Sequence, residues 1–295
     1  MTRILAVIDP DAGHHVALER IREIDPGADI DVHAVLYRES TPVLASAGSE
    51  LAGNLTAQKQ WMAELVAPLE DSDYCITWEI CPFTRTKLYE NIINSVKDFG
   101  ADVVFKPFRQ HSTLQRAFKT PTDWQLIRHC PVPLLLVSDL SSVRQQPVVA
   151  AVDLFSNDTA HAQLNRSVVD GARLIANILD VDVRYVCAST STTARQQDQV
   201  HGLAPPTRGT RSDLLSIADQ KLGRLGVPPE SVRFIDGVPQ NVIVDFAGAI
   251  DAGVIVLGTA ARSGAAGLMV GNTAEAVVER SECDLFVVNR SRPDS

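Results

Sequence analysis

The sequence lacks any apolar run near the roughly 18 residues a membrane-spanning helix needs, so no membrane role is expected. No leader is expected either. The opening "MTRILAVIDPDAG" holds an apolar run far too short for a signal peptide, and Asp9 closes it. A cytoplasmic location is the expectation. Positive charge is scarce: 27 Lys and Arg stand against 36 Asp and Glu, a formal net charge of -9, which disfavours a general nucleic-acid surface. Cysteine is sparse, and none of Cys75, Cys81, Cys130, Cys187 and Cys283 forms a C-x-x-C pair. Most sit in or beside apolar runs, so they read as buried free thiols of a reducing compartment, not as a disulfide or metal framework.

Catalytic spacing is missing too. No nucleophile–His–acid pattern emerges, and Ser263 has no nearby base in sequence. His14 and His15 are adjacent, so a helix would not turn both to one side as metal ligands. His161 and His201 stand alone and read as solvent-exposed. Trp61, Trp78 and Trp124 read as packing residues.

What the chain does contain is short β-branched runs alternating with helical patterns. In the first half, "ILAVID" (4–9), "DIDVHAVL" (29–36), "YCITWEI" (74–80), "ADVVFKP" (101–107) and "VPLLLVS" (132–138) alternate with amphipathic stretches. The second half repeats the order with "VVAAVDL" (148–154), "VDVRYVCA" (181–188), "SVRFID" (231–236), "GVIVLGT" (253–259) and "DLFVVNR" (284–290). Such alternation implies parallel pairing, and runs such as "VIVL" and "LLLV" suit strands buried on both sides. The expected fold is α/β: two tandem doubly wound five-stranded parallel sheets, strand order 3-2-1-4-5, with helices on both faces. The domains are expected at 1–140 and 147–295, joined by the polar "DLSSVRQQP" (139–147). Asp9 and Asp153 each end a first strand, and Cys130 and Cys283 each precede a last strand.

In an open parallel sheet a ligand sits beyond the carboxyl ends of the strands where strand order reverses. In the second half that crevice would hold Asp153 and the run "GTAARSGAAGLMVGNT" (258–273). The run ends "GNTAE", where Asn272 reads as an N-cap with Glu275 three residues on, as in a capping box. Glycines allow close approach of backbone to an anion, and a helix start offers unpaired N–H groups. The run therefore reads either as a phosphate cradle or as a glycine-relaxed loop. The polar stretch 188–210 reads as a mobile loop.

These residues resemble the universal stress protein family, which carries G-x-x-G-x9-G-[ST] after its fourth strand. Gly258, Ala261, Gly271 and Asn272 fall at those spacings, with Ala261 in place of the second glycine and Asn272 in place of Ser or Thr. Asp153 matches the family's first-strand aspartate, Gly237 and Pro239 match its G-x-P, and Thr120–Trp124 supplies the "TPTDW" of its tandem members. The resemblance covers the whole chain. It implies ATP binding by the second domain, with no metal assigned. Carried over by position, Asp153 and Leu154 would lie near adenine and ribose, and Val186 would flank the base. Leu257 would close the fourth strand, and Gly258, Ala261, Gly271, Asn272 and Thr273 would line the phosphates. It further implies that "VPLLLV" and "DLFVV" pair edge to edge as an intramolecular pseudo-dimer, covering exposed edges. A further homodimer stays open.

The first half keeps the loop length without the glycines. Lys106, Arg109, Lys119 and Thr120 stand where Gly258, Ala261, Gly271 and Asn272 do. ATP binding of the family kind is not expected there. The basic segment 106–119 reads as a solvated loop or internal lid, or as an anion site for another ligand. The function expected is a stress-linked, nucleotide-binding regulator. The alternatives are a scaffold or carrier of an apolar or anionic small molecule, and a slow ATP hydrolase.

Overall fold

The computed structural model describes residues 1–9, 15–24, 29–39, 48–70, 74–83, 88–108, 121–139, 143, 145–156, 158–189, 211–259, 262–264, 267–269 and 271–289. They divide into two compact units, Met1–Ser142 and Val143–Ser295. The division falls inside the expected linker. Its latter part belongs to the second unit, because Val143 is buried there and its Cα lies 3.1 Å from where a Gly253 Cβ would stand.

In the first unit the elements run β1 (Thr2–Ile8), α1 (Val16–Arg22), β2 (Ile30–Glu39), α2 (Gly48–Glu70) and β3 (Cys75–Phe83). They continue α3 (Leu88–Phe99), β4 (Val103–Phe108), α4 (Pro121–His129) and β5 (Leu134–Ser138). The strands lie in the order β3-β2-β1-β4-β5, all parallel. Ile4, Leu5 and Ala6 are consecutive and fully buried, as are Val103, Val104 and Phe105. Successive strand side chains point to opposite faces, so these runs mean that both faces of the sheet are covered.

The second unit repeats the plan. It runs β6 (Val148–Ala151), α5 (Thr159–Leu179), β7 (Val183–Ser189), α6 (Arg211–Leu225), a 3-10 turn (Pro229–Ser231) and β8 (Val232–Asp236). It ends with α7 (Pro239–Ala249), β9 (Val254–Thr259), β10 (Arg262–Gly264), β11 (Gly267–Met269), α8 (Asn272–Arg280) and β12 (Asp284–Asn289). The order β8-β7-β6-β9-β12 is again 3-2-1-4-5 and parallel. The fold class expected from the sequence is the one found.

Two glycines help explain how α5 is seated. A Cβ on Gly171 would fall 2.6 Å from Val288 Cγ1, so the helix lies directly on β12. A Cβ on Gly258 would fall 2.5 Å from Leu164 Cγ, so α5 also lies directly on the end of β9. Its start is fixed by Asp158, whose side chain accepts from the Ala160 N–H. Its end is fixed by Asp180 in the left-handed conformation, φ 52°.

Several readings change. The glycine run is not wholly a loop: β10 and β11 form an antiparallel hairpin in which Gly264 pairs with Gly267. Ala188 and Ser189 end β7, and the rest of the polar stretch, 190–210, lies outside the described residues. The thiols are free, but only Cys130 and Cys187 are buried. Cys81 and Cys283 are half-buried, and Cys75 is exposed because it opens β3, the end strand of its unit's own order. No helix among the described residues is long and apolar enough to cross a membrane.

Candidate functional site

In the second unit the order of strands reverses between β6 and β9, and their carboxyl ends open a crevice there. The chain leaves β6 through Val152 and Asp153. The Asp153 carboxylate folds back on its own loop, its Oδ1 accepting from the N–H of Phe155 at 3.2 Å and of Ser156 at 3.1 Å. Asn165, buried on α5, grips the backbone of Asp153. The Asp153 N–H donates to Asn165 Oδ1 at 2.9 Å, and Asn165 Nδ2 donates to the Asp153 carbonyl at 2.7 Å. Lys221, on α6, donates to the carbonyls of Leu154 and Ser156, each at 2.7 Å.

His161 stands on the first turn of α5. Its Nδ1 lies 3.2 Å from Asp158 Oδ2 and its Nε2 lies 4.0 Å from Asp153 Oδ2. The isolated, exposed ring expected from the sequence is therefore half-buried between two carboxylates. The reason is the N-cap, which places Asp158 one helical turn before it. Nearby Cys187 is no nucleophile: burial pushes its thiol up to about 12, and the Asp153 carboxylate adds to the effect.

A cavity of about 670 Å³ occupies the crevice. Its floor and one wall are apolar, from Val152, Val168, Val186, Pro239, Ile243 and Leu257. Asp153, His161 and Asn165 line another side, and Gly258, Gly271, Asn272 and Thr273 line the end at α8. So seven of the nine residues picked from the sequence share one cavity: Asp153, Val186, Leu257, Gly258, Gly271, Asn272 and Thr273. Leu154 is fully buried behind the Asp153 loop. Ala261 lies outside the described residues.

The two glycines at the α8 end differ. Gly258 lies under Leu164, so its lack of a side chain has a packing cause. Gly271 has an ordinary backbone, φ -68° and ψ 143°, and a Cβ there would meet no atom of the described residues within 4 Å. Neither its backbone conformation nor packing among the described residues calls for glycine at 271. Gly271, not Asn272, is the N-cap of α8, its carbonyl accepting from the Glu275 N–H at 3.0 Å. The capping box expected from the sequence is thus not formed: the chain turns helical at Asn272 itself, and the N-cap glycine has no side chain to cap with. The N–H groups of Asn272, Thr273 and Ala274 have no acceptor within the helix and border the cavity.

Gly237, φ 154°, makes the turn into α7, donating its N–H to the Ser189 carbonyl at 2.8 Å. Pro239 follows as the first residue of that helix, where a missing N–H costs nothing.

The same place in the first unit is built differently. Lys106, at the position of Gly258, is mostly buried, with Nζ 2.7 Å from Asp123 Oδ1 on the first turn of α4. This is a charge contact rather than a well-directed hydrogen bond. Lys106 also donates to the Pro107 carbonyl at 3.1 Å. The rest of the basic segment, 109–120, and His14 lie outside the described residues. His15 packs edge-on against Trp61, ring centroids 5.2 Å apart. No group of three His, Cys, Asp or Glu residues suited to a metal ion occurs among the described residues.

Sequence reasoning missed Asn165, His161 and Lys221. The first two stand 12 and eight residues after Asp153, and Lys221 comes from another helix. An HxxxN spacing following a strand-ending Asp was the available signal.

The fold and this crevice define a tandem protein of the universal stress type, and comparison with known proteins agrees. Residues 145–289 match the model of the Universal stress protein family. The chain belongs to that family. It is similar along its length to Universal stress protein E of Escherichia coli (strain K12), 29% identical over 304 residues, covering 99% of this chain and 94% of that protein. Among solved structures, a functionally unknown protein from Pseudomonas aeruginosa PAO1 superposes with a TM-score of 0.72 at 24% identity, covering 99% of this chain and 93% of that one. A universal stress protein from Archaeoglobus fulgidus DSM 4304 gives 0.68 at 14% identity, with 98% of each chain covered. These two likenesses concern the fold.

Proposed function

We propose that this chain is a stress-response regulator that binds an adenine nucleotide, ATP, through its second unit. The observation that carries the reading is the N-terminus of α8, where Gly271 leaves space among the described residues and lines one cavity with Asp153. In this reading Val186, Pro239, Ile243 and Leu257 flank the base. Asp153, an acceptor only, takes a ribose hydroxyl. Gly258, Gly271, Asn272 and Thr273 receive the phosphates through backbone N–H groups and the positive end of the helix. Leu154, fully buried, anchors the Asp153 loop. The first unit binds no nucleotide in this manner, since Lys106 and Asp123 occupy the equivalent corner with side chains.

The test is a calorimetric titration of the full chain with ATP, repeated on Gly271→Asp. The unsubstituted chain binds and the variant does not, because a carboxylate at the helix mouth takes the phosphate's place. Absence of binding to the unsubstituted chain at millimolar ATP would refute the reading.

A further inference from the structure

The Asp153 loop is held at four backbone groups by two side chains from elsewhere in the unit. Asn165 takes the N–H and the carbonyl of Asp153, and Lys221 takes the carbonyls of Leu154 and Ser156. Asn165 is 7% exposed, so its amide is desolvated and must be bonded at both ends to be tolerated. The two bonds also fix which way the amide faces, since one end must accept and the other donate.

Asn165 stands 12 residues after Asp153, and 12 residues after Asp9 stands Ile21. Ile21 lies on α1 and is fully buried. By that count the first unit carries an aliphatic side chain where the second carries an amide. What Asn165 adds is control of Asp153. With the backbone of Asp153 fixed, its Oδ1 is consumed by the Phe155 and Ser156 N–H groups, and its Oδ2 lies 4.0 Å from His161 Nε2, both residues lining the cavity.

We infer that Asn165 is a positioning residue for ligand recognition: it acts through Asp153, aiming one carboxylate oxygen at a hydrogen-bond donor of the ligand. The inference rests on the nucleotide reading above and deepens it. A ligand without a hydroxyl or amine at that point gains nothing from Asp153, because a carboxylate can only accept.

The experiment is a double-mutant cycle of Asn165→Leu and Asp153→Ala in the full chain, read by ATP dissociation constants and by amide exchange at Phe155 and Ser156. Leu fills the space as Ile21 does, and a thermal melt checks that each variant folds. Asn165→Asp, which keeps the acceptor and loses the donor, provides a second variant. In the unsubstituted background Asn165→Leu weakens binding about tenfold, and in the Asp153→Ala background by less than about twofold. An equal loss in both backgrounds means a general packing role and overturns the inference, as does no loss in either. Should the unsubstituted chain bind no ATP, the nucleotide reading fails, and exchange still decides the role of Asn165. Exchange about tenfold faster at Phe155 and Ser156 in Asn165→Leu upholds the positioning, and unchanged exchange overturns it.

Discussion

The two units answer one structural question in opposite ways. Each has a fourth strand ending beside the first turn of its last helix. In the first unit Lys106 and Asp123 fill that corner, ammonium against carboxylate at 2.7 Å. In the second, Gly258 lets Leu164 press onto the strand, and Gly271 leaves the helix mouth open to a cavity of about 670 Å³. The same backbone plan yields an internally neutralised corner in one unit and an open helix N-terminus in the other.

The largest way to break this contrast lies in the first unit. Asp123→Ala strands the mostly buried Lys106 ammonium and costs about 3 kcal/mol of stability, measured by chemical denaturation. Replacing both partners together, Lys106→Met with Asp123→Leu, recovers most of that loss, because an apolar pair carries no desolvation cost. A double variant no better than Asp123→Ala would show that the pair is not the reason for the loss.

Next in size is Gly258→Val. Its side chain meets Leu164, so it costs about 1–3 kcal/mol, and Leu164→Ala in the same chain restores part of it. Gly271→Asp separates the two glycines. Its stability stays within about 0.5 kcal/mol of the unsubstituted chain, since Asp is a good N-cap and nothing stands in its way. A large destabilisation at 271 would place both glycines in the same packing role.

The smallest effect concerns the thiols before the last strands. Burial pushes both Cys130 and Cys283 up to about 11. Both are thus almost wholly protonated at pH 8, and their alkylation speeds up as pH rises toward 11. Cys283 is half-buried and Cys130 is buried, so Cys283 is modified first in a mass-spectrometric time course. Exposed Cys75 precedes both.

The fold was legible because its signals are periodic. Five apolar runs separated by helical patterns, the whole then repeated, leave few parallel arrangements, and the internal echo of Asp9 and Asp153 marks the crevice. The site was legible only in part. The hairpin of β10 and β11 was hidden because "RSGAAGLM" shows no alternation and its ladder is only three pairs long, Arg262 with Met269, Ser263 with Leu268 and Gly264 with Gly267. Gly258 and Gly271 look alike in sequence. They are told apart only by what stands over them, Leu164 in one case and nothing in the other. Asn165 was harder still to pick out: it binds backbone, which leaves no mark on a sequence, so only its HxxxN spacing after Asp153 pointed to it.

In the function proposed above, the second unit alone carries the nucleotide site. Equilibrium dialysis of the full chain against labelled ATP counts the nucleotides bound. Saturation is expected at one per chain, abolished by Gly271→Asp and kept when Lys106→Met and Asp123→Leu are combined. Two nucleotides per chain, none, or a single nucleotide that survives Gly271→Asp would contradict it.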